Sequence, residues 1–186
     1  PGAQGQNIMA PTVRFTGLVK PDISKARKSS VFILLYQKNE QWHIPFIKRQ
    51  EYEGVHSGQI SFPGGKVEKQ DENYLHTAFR ETDEEIGIKT SDIEHLGTLS
   101  TIYIPNSNFI VYPQVGIIKS SPTFTINSYE VNYIIEAPLH EVLKQTTKKC
   151  FSRTGNNIKI EAPYYNIGDQ RIWGATAMML SEFLQV

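Results

Sequence analysis

The sequence predicts one α/β or α+β sandwich, a β-sheet packed against helices. Short runs rich in β-branched and aromatic residues recur along the chain, as at 31–36, 42–47, 109–118 and 131–135. Two other segments, 75–86 and 175–184, carry apolar residues at helical spacing. The 186 residues contain no repeat, low-complexity tract or domain linker, and that length suffices to bury one sizeable core.

The elements follow in chain order. Residues 1–10 are expected to be a disordered start and 11–186 a single domain, entered through a partly ordered lead-in that ends near residue 30. Residues 31–36 form a first strand, 38–41 turn, and 42–47 return as a second strand. Residues 49–59 are polar, contain Gly54 and Gly58, and read as a loop. A short strand at 59–62 is halted by Pro63, Gly64 and Gly65. Asp71 or Asn73 caps the next helix, and Gly87 ends it. Leu75, Ala78, Phe79, Thr82 and Ile86 make that helix's inward stripe. Residues 96–104 and 109–118 are strands joined by a turn at 105–108, and 131–135 is another strand. Pro138 opens a short helix over 139–144. Late strands are expected at 148–151, 158–160 and 164–167, and a terminal helix at 175–184 packs Met178, Met179 and Phe183 inward.

Composition narrows the functional classes. Lys+Arg and Asp+Glu are equal at 19 each, so no basic excess marks nucleic acid or an anionic membrane as a partner. Cys150 is the only cysteine, which excludes an intramolecular disulfide and a cysteine zinc site. That usage fits a reducing, cytoplasmic setting. No apolar run approaches the roughly 20 residues of a membrane span, and no signal-peptide pattern is present. His43, His76, His95 and His140 have no mutual spacing that marks a zinc site.

One helix face departs from structural economy. Glu81, Glu84 and Glu85 stand at i, i+3 and i+4 of a predicted helix that follows a Gly-rich turn. At 100° per residue, Glu81 and Glu85 are roughly 40° apart around the helix. Like charges at i, i+4 repel, and acids in a last turn oppose the helix dipole. Such a ridge suits a cation, and clustered oxygen donors suit a hard divalent ion such as Mg²⁺ or Mn²⁺. Glu81 and Glu85 border the apolar stripe and are expected to be half-sheltered, with Glu84 further out.

The pattern from Gly65 through Arg80, Glu81, Glu84, Glu85, Gly87 and Ile88 resembles the signature box of Nudix hydrolases. The Gly65-to-Arg80 interval is one residue longer than the family's pattern, and Asp71 stands where a middle Glu is usual. A narrower resemblance spans roughly 30–185. Arg49, His56, Ser57, Gly58 and the run 59–65 look like the upstream motif of the coenzyme A pyrophosphatase branch. Residues 112–118, Glu130 with Val131, and 173–184 are similar too. Gln50, Glu53 and Gly54 depart from that branch, and a basic residue that would hold a substrate phosphate is absent.

The resemblance implies a Nudix-type α/β/α sandwich with a central mixed β-sheet. It implies Mg²⁺- or Mn²⁺-dependent hydrolysis of a small molecule with a diphosphate linkage, by a monomer or homodimer. Coenzyme A or an acyl derivative is the first substrate; ADP-ribose or NADH is an alternative, as is a non-catalytic binding module on the same fold. By this likeness Glu81 and Glu85 are the primary metal ligands. Glu84 is a further or water-mediated ligand, and the Gly65 carbonyl an extra one. Arg80 orients a carboxylate, and Glu84, Glu85 and Glu130 are the candidates for the chemistry, with Glu130 reading equally as a solvated strand-end acid. Gly64, Gly65, Arg49 and His56 are the candidate substrate contacts. Arg49 reads equally as a surface cation, and His56 as a loop-fixing residue. Tyr103, Tyr112 and Phe109 are weighed as adenine-stacking or core aromatics.

Overall fold

The computed structural model describes residues 1–12, 23–51, 58–145, 149–155 and 158–186, with 149–155 and 158–160 as backbone only. The chain runs through α1 (Gly2–Asn7), β1 (Arg27–Lys38), β2 (Gln41–Arg49), β3 (Ile60–Ser61), β4 (Gly64–Lys66) and α2 (Tyr74–Ile86). It continues through β5 (Ile93–Thr98), β6 (Ile102–Ile104), β7 (Phe109–Ile118), β8 (Val131–Pro138) and α3 (Leu139–Leu143). It ends with β9 (Lys149–Gly155), β10 (Ile158–Ile167), β11 (Gln170–Trp173) and α4 (Gly174–Phe183).

A mixed sheet lies at the centre, in the order β3-β2-β1-β7-β5, with β4 added to β1, β6 to β7 and β8 to β2. β1 and β7 pair in parallel, and the other described pairs of this sheet are antiparallel. The β1–β2 hairpin turns on Asn39 and Glu40, whose φ values of 50° and 60° give the left-handed turn that matches strand twist. Strand alternation then divides the core. Phe32, Leu34 and Tyr36 face Ala78 and Ile86 of α2. Ile33, Ile44 and Phe46 face the other way, onto Met178, Met179 and Leu180 of α4. The expected α/β/α sandwich with a central mixed sheet is the observed architecture.

Several elements differ from expectation. The strand expected over 96–104 is two, β5 and β6, with a register shift between His95 and Gly97. The strands expected at 158–160 and 164–167 are one, β10, which pairs with β9 and with the unanticipated β11. Residues 1–10, expected to be a disordered start, instead form α1 and pack on α4. Met9 and Ala10 are buried there. Gln6 Nε2 donates to Glu182 Oε2 at 2.8 Å and to the Ser100 carbonyl at 2.9 Å. The Ser100 N–H donates to Glu182 Oε1 at 3.1 Å, and Ser181 Oγ to the Gly5 carbonyl at 2.8 Å. No described helix is long and apolar enough to cross a membrane.

Glu182 is therefore a buried clasp between α1, α4 and the β5–β6 connection. Glu182→Ala removes the acceptor of one N–H of the buried Gln6 amide and of the Ser100 backbone N–H, and urea unfolding is expected to register a loss of about 1–3 kcal/mol.

Candidate metal centre and active site

Two backbone features build the site before any side chain does. Asn73 caps α2, its Oδ1 accepting the His76 N–H at 2.8 Å, and Gly87 closes the helix at φ 74°. Together they bound the 13-residue helix whose second half carries Glu81, Glu84 and Glu85. Gly64 and Gly65, in β4, then pass close above it. A Cβ on Gly64 would strike the backbone of Ser30 and Val31, and one on Gly65 would strike the Glu81 carboxylate. Only glycine lets the chain run between β1 and the acids.

The acids are more deeply placed than half-sheltered. Glu85 is fully buried and Glu81 is 9% exposed, because β4 and the 119–130 connection close over the ridge. The Gly64 N–H donates to Glu85 Oε2 at 2.7 Å. Glu85 Oε1 lies 3.3 Å from Arg49 Nη2 yet takes no hydrogen bond. Burial pushes the Glu85 carboxyl up to about 8, against the pull of Arg49 and the Gly64 N–H, with Glu81 and Glu130 adding to the rise. Burial raises Glu81 as well, and Arg80 opposes it.

Glu130 completes the group. Carboxylate oxygens of Glu81, Glu85 and Glu130 lie within 4.8 Å of one another. The connection that carries Glu130 is tied to the end of α2, where helix carbonyls need partners. Thr125 N–H donates to the Ile86 carbonyl and Asn127 N–H to the Glu85 carbonyl, each at 3.0 Å. Gln50 N–H, just past β2, donates to the Glu130 carbonyl at 2.9 Å. Three converging carboxylates, one of them with an orphaned buried oxygen, make a donor set that could hold a hard divalent cation, and a cation there would relieve their repulsion.

Family comparison meets this geometry. A family model for the NUDIX domain matches residues 26–148. The chain belongs to the Nudix family. It is 35% identical over 140 residues to an uncharacterized Nudix hydrolase, NudL, of Yersinia enterocolitica, covering 74% of this chain and 70% of that one. NudL of Yersinia pestis is 34% identical, with 74% and 69% covered. Among solved structures, a MutT/nudix family protein from Enterococcus faecalis aligns at TM-score 0.60 and 15% identity, covering 94% of this chain and 67% of that one. A MutT protein from Methanosarcina mazei aligns at 0.56 and 16%, covering 86% and 92%. These likenesses concern the fold alone. The protein is thus a Nudix pyrophosphohydrolase. Nudix hydrolases work with divalent metals, and the acid trio fits one.

The remaining residues of the Nudix box take distinct places. Arg80 is a hub. Its Nε and Nη2 grip the two oxygens of Asp71 at 3.0 Å each, Nη2 also reaches Glu81 Oε1 and the Lys66 carbonyl at 3.0 Å, and Nη1 reaches Glu84 Oε2 at 3.0 Å. The Asp71 side chain is buried and accepts from Thr77 Oγ1 as well. It acts as the anchor of Arg80, not as a member of the trio. Glu84 stands outside the trio, with its side chain 53% exposed. Arg49, read as a substrate contact or a surface cation, turns inward and donates to the Gly64 carbonyl at 2.7 Å. His56, with Glu53 and Gly54, lies outside the described residues. Tyr103 donates to Asn108 Oδ1 at 2.9 Å, Tyr112 stacks on Tyr74 with centroids 3.5 Å apart, and Phe109 lies under the Arg27 guanidinium at 4.1 Å. The sequence offered no signal for Asp71 as anchor beyond its position in the lengthened box.

Two outcomes follow. Gly65→Ala forces the Glu81 carboxylate aside without touching the core, so activity is expected to fall about a hundredfold while the circular dichroism spectrum is unchanged. The Arg80 guanidinium beside Asp71 holds its carboxyl down at about 2, against an ordinary value of 3.8, with burial opposing. A carboxyl lowered by folding stabilises the protein above its unfolded value and loses that contribution as pH falls through the folded one. Asp71→Asn is therefore expected to cost stability at neutral pH. In urea titrations its deficit against the wild type shrinks as pH drops from about 4 to about 2.

Proposed function

We propose that this Nudix enzyme hydrolyses the pyrophosphate of coenzyme A or an acyl derivative, releasing phosphopantetheine and adenosine 3′,5′-bisphosphate. The observation that carries the reaction class is the convergence of Glu81, Glu85 and Glu130 within 4.8 Å, one oxygen of Glu85 being buried without a hydrogen bond. The narrower substrate rests on the likeness of Arg49, His56 and residues 57–65 to the coenzyme A pyrophosphatase motif. Mg²⁺ or Mn²⁺ is the expected ion and the cytoplasm the expected setting.

In this reading Glu81 and Glu85 hold the cation, joined by Glu130. A bound divalent cation would neutralise diphosphate oxygens and acidify water. The chain's own residues prepare the site for that. Arg80 fixes the Glu81 carboxylate by a charge-assisted bond, and Asp71 fixes Arg80. Gly64 N–H fixes Glu85. Glu130, the solvent-facing member, is the residue this reading assigns to accept a proton from the attacking water, supported by its exposure beside the other two acids. Glu84, tied to Arg80 at the rim, acts through water. Arg49 offsets the Glu85 charge and steadies the Gly64 turn.

A second reading, ADP-ribose or NADH as substrate, is favoured by the inward commitment of Arg49 and by Gln50, Glu53 and Gly54. Incubation with coenzyme A and Mg²⁺ or Mn²⁺, followed by mass spectrometry, distinguishes the two. Phosphopantetheine and adenosine 3′,5′-bisphosphate are expected; cleavage of ADP-ribose or NADH alone selects the second reading.

Glu85→Gln is expected to lower turnover by more than the roughly 10–100-fold typical of residues behind the ligands. Because burial opposes a charge at Glu85, the amide is expected to fold at least as stably without metal. Mn²⁺ then raises the melting temperature of the wild type and not of the variant. Equal stabilisation of both would remove Glu85 from the metal centre.

A further inference from the structure

The end of β2 carries two successive residues that each hold part of the acid trio. Arg49 donates to the Gly64 carbonyl at 2.7 Å and lies 3.3 Å from Glu85 Oε1. Gln50, the next residue, reaches the segment that carries Glu130. Its N–H donates to the Glu130 carbonyl at 2.9 Å, and its side-chain Nε2 donates to the Ser128 carbonyl at 2.9 Å. Gln50 is itself held, since its carbonyl accepts the Gly58 N–H at 3.2 Å. The strand ladder prepares this reach. β2 pairs with β8 as far as Lys48 and Tyr133, and the register then shifts, so that Arg49 faces Val131 and Asn132 is passed over. A bulge of this kind bends the strand and re-aims the side chains beside it. Gln50 and Glu130 meet just beyond it.

Ser128, Tyr129 and Glu130 are exposed, so hydrogen bonds rather than core packing fix their turn. Asn127 ties the turn to α2. Its N–H donates to the Glu85 carbonyl at 3.0 Å, and its own carbonyl accepts the Glu130 and Val131 N–H groups at 3.1 and 2.9 Å. Gln50 ties the same turn to β2. A carboxylate on an ordered turn loses little freedom when an ion binds, and one on a loose turn loses more. We propose that Gln50 is a positioning residue: its side-chain amide fixes the 127–130 turn and so presents the Glu130 carboxylate to a cation held by Glu81 and Glu85. This role rests on the metal-centre reading above. Gln50 is among the residues in which this chain departs from the coenzyme A pyrophosphatase motif, so the tie belongs to this chain's own sequence.

Gln50→Met keeps the length of the side chain and removes its donor. Titration of the purified protein with Mn²⁺, read by the electron paramagnetic resonance of the free ion, is expected to give a Kd about tenfold weaker than that of the wild type, as for residues behind metal ligands. The melting temperature without metal is expected to match the wild type, because the lost bond lies at the surface. In a Glu130→Gln background the same substitution is expected to change the Mn²⁺ Kd by less than about twofold, since the acid that Gln50 positions is gone. An unchanged Kd in Gln50→Met, beside a weakened Glu130→Gln, overturns the positioning role and leaves Glu130 in the metal centre. A tenfold loss that persists in the Glu130→Gln background overturns it too, because Gln50 then acts independently of that acid. Mn²⁺ binding by Glu130→Gln as tight as by the wild type removes Glu130 from the centre and overturns both readings together.

Discussion

The site depends on how Glu85 is buried. Its side chain takes the Gly64 N–H and its backbone carbonyl takes the Asn127 N–H, so one residue joins β4, α2 and the 119–130 connection. An ionised carboxylate without water is costly unless hydrogen bonds or opposite charge answer it. Here the answer is partial. One oxygen has its bond; the other lies near Arg49 without one, and Glu81 and Glu130 add negative charge. The protein alone leaves the group unsatisfied, and a cation bound there would answer the remaining charge.

Arg80 gives this cluster its shape. A guanidinium offers five donors in a rigid plane, and here they are shared among Asp71, Glu81, Glu84 and the Lys66 carbonyl. Glu81 is thereby pulled toward β4 while Glu84 is left at the rim. Three acids on one helix thus come to be placed unequally. The difference follows from their partners, not from spacing.

The glycines set the vertical dimension of the same site. β4 is short and its residues would look like a turn in any sequence, yet it pairs with β1 and brings Gly65 against Glu81. Glu130 arrives from far along the chain because the carbonyls at the end of α2 need donors, and the 119–130 connection provides them. Backbone hydrogen bonding, an obligation of every buried peptide, has here assembled a site out of three separate segments.

Periodicity made the β1–β2 hairpin, α2, β7, β8 and α4 legible, because alternating and 3.6-residue apolar patterns are local properties. The metal-suited ridge was legible for the same reason: Glu81 and Glu85 share a face wherever that helix lies. Other features were decided only by the folded chain. α1 is polar and Gly-containing, and becomes ordered through Glu182, distant in sequence. β4 and β11 are too short for a period to register. The full burial of Glu85, the exclusion of Glu84 from the trio and the inward turn of Arg49 depend on which segments close over the helix. The chemistry available at this face follows from the order of residues alone, since side-chain type and helical spacing are local. The tertiary structure alone decided which oxygens converge, since that requires long-range pairing of β1 with β4 and of α2 with the segment that carries Glu130.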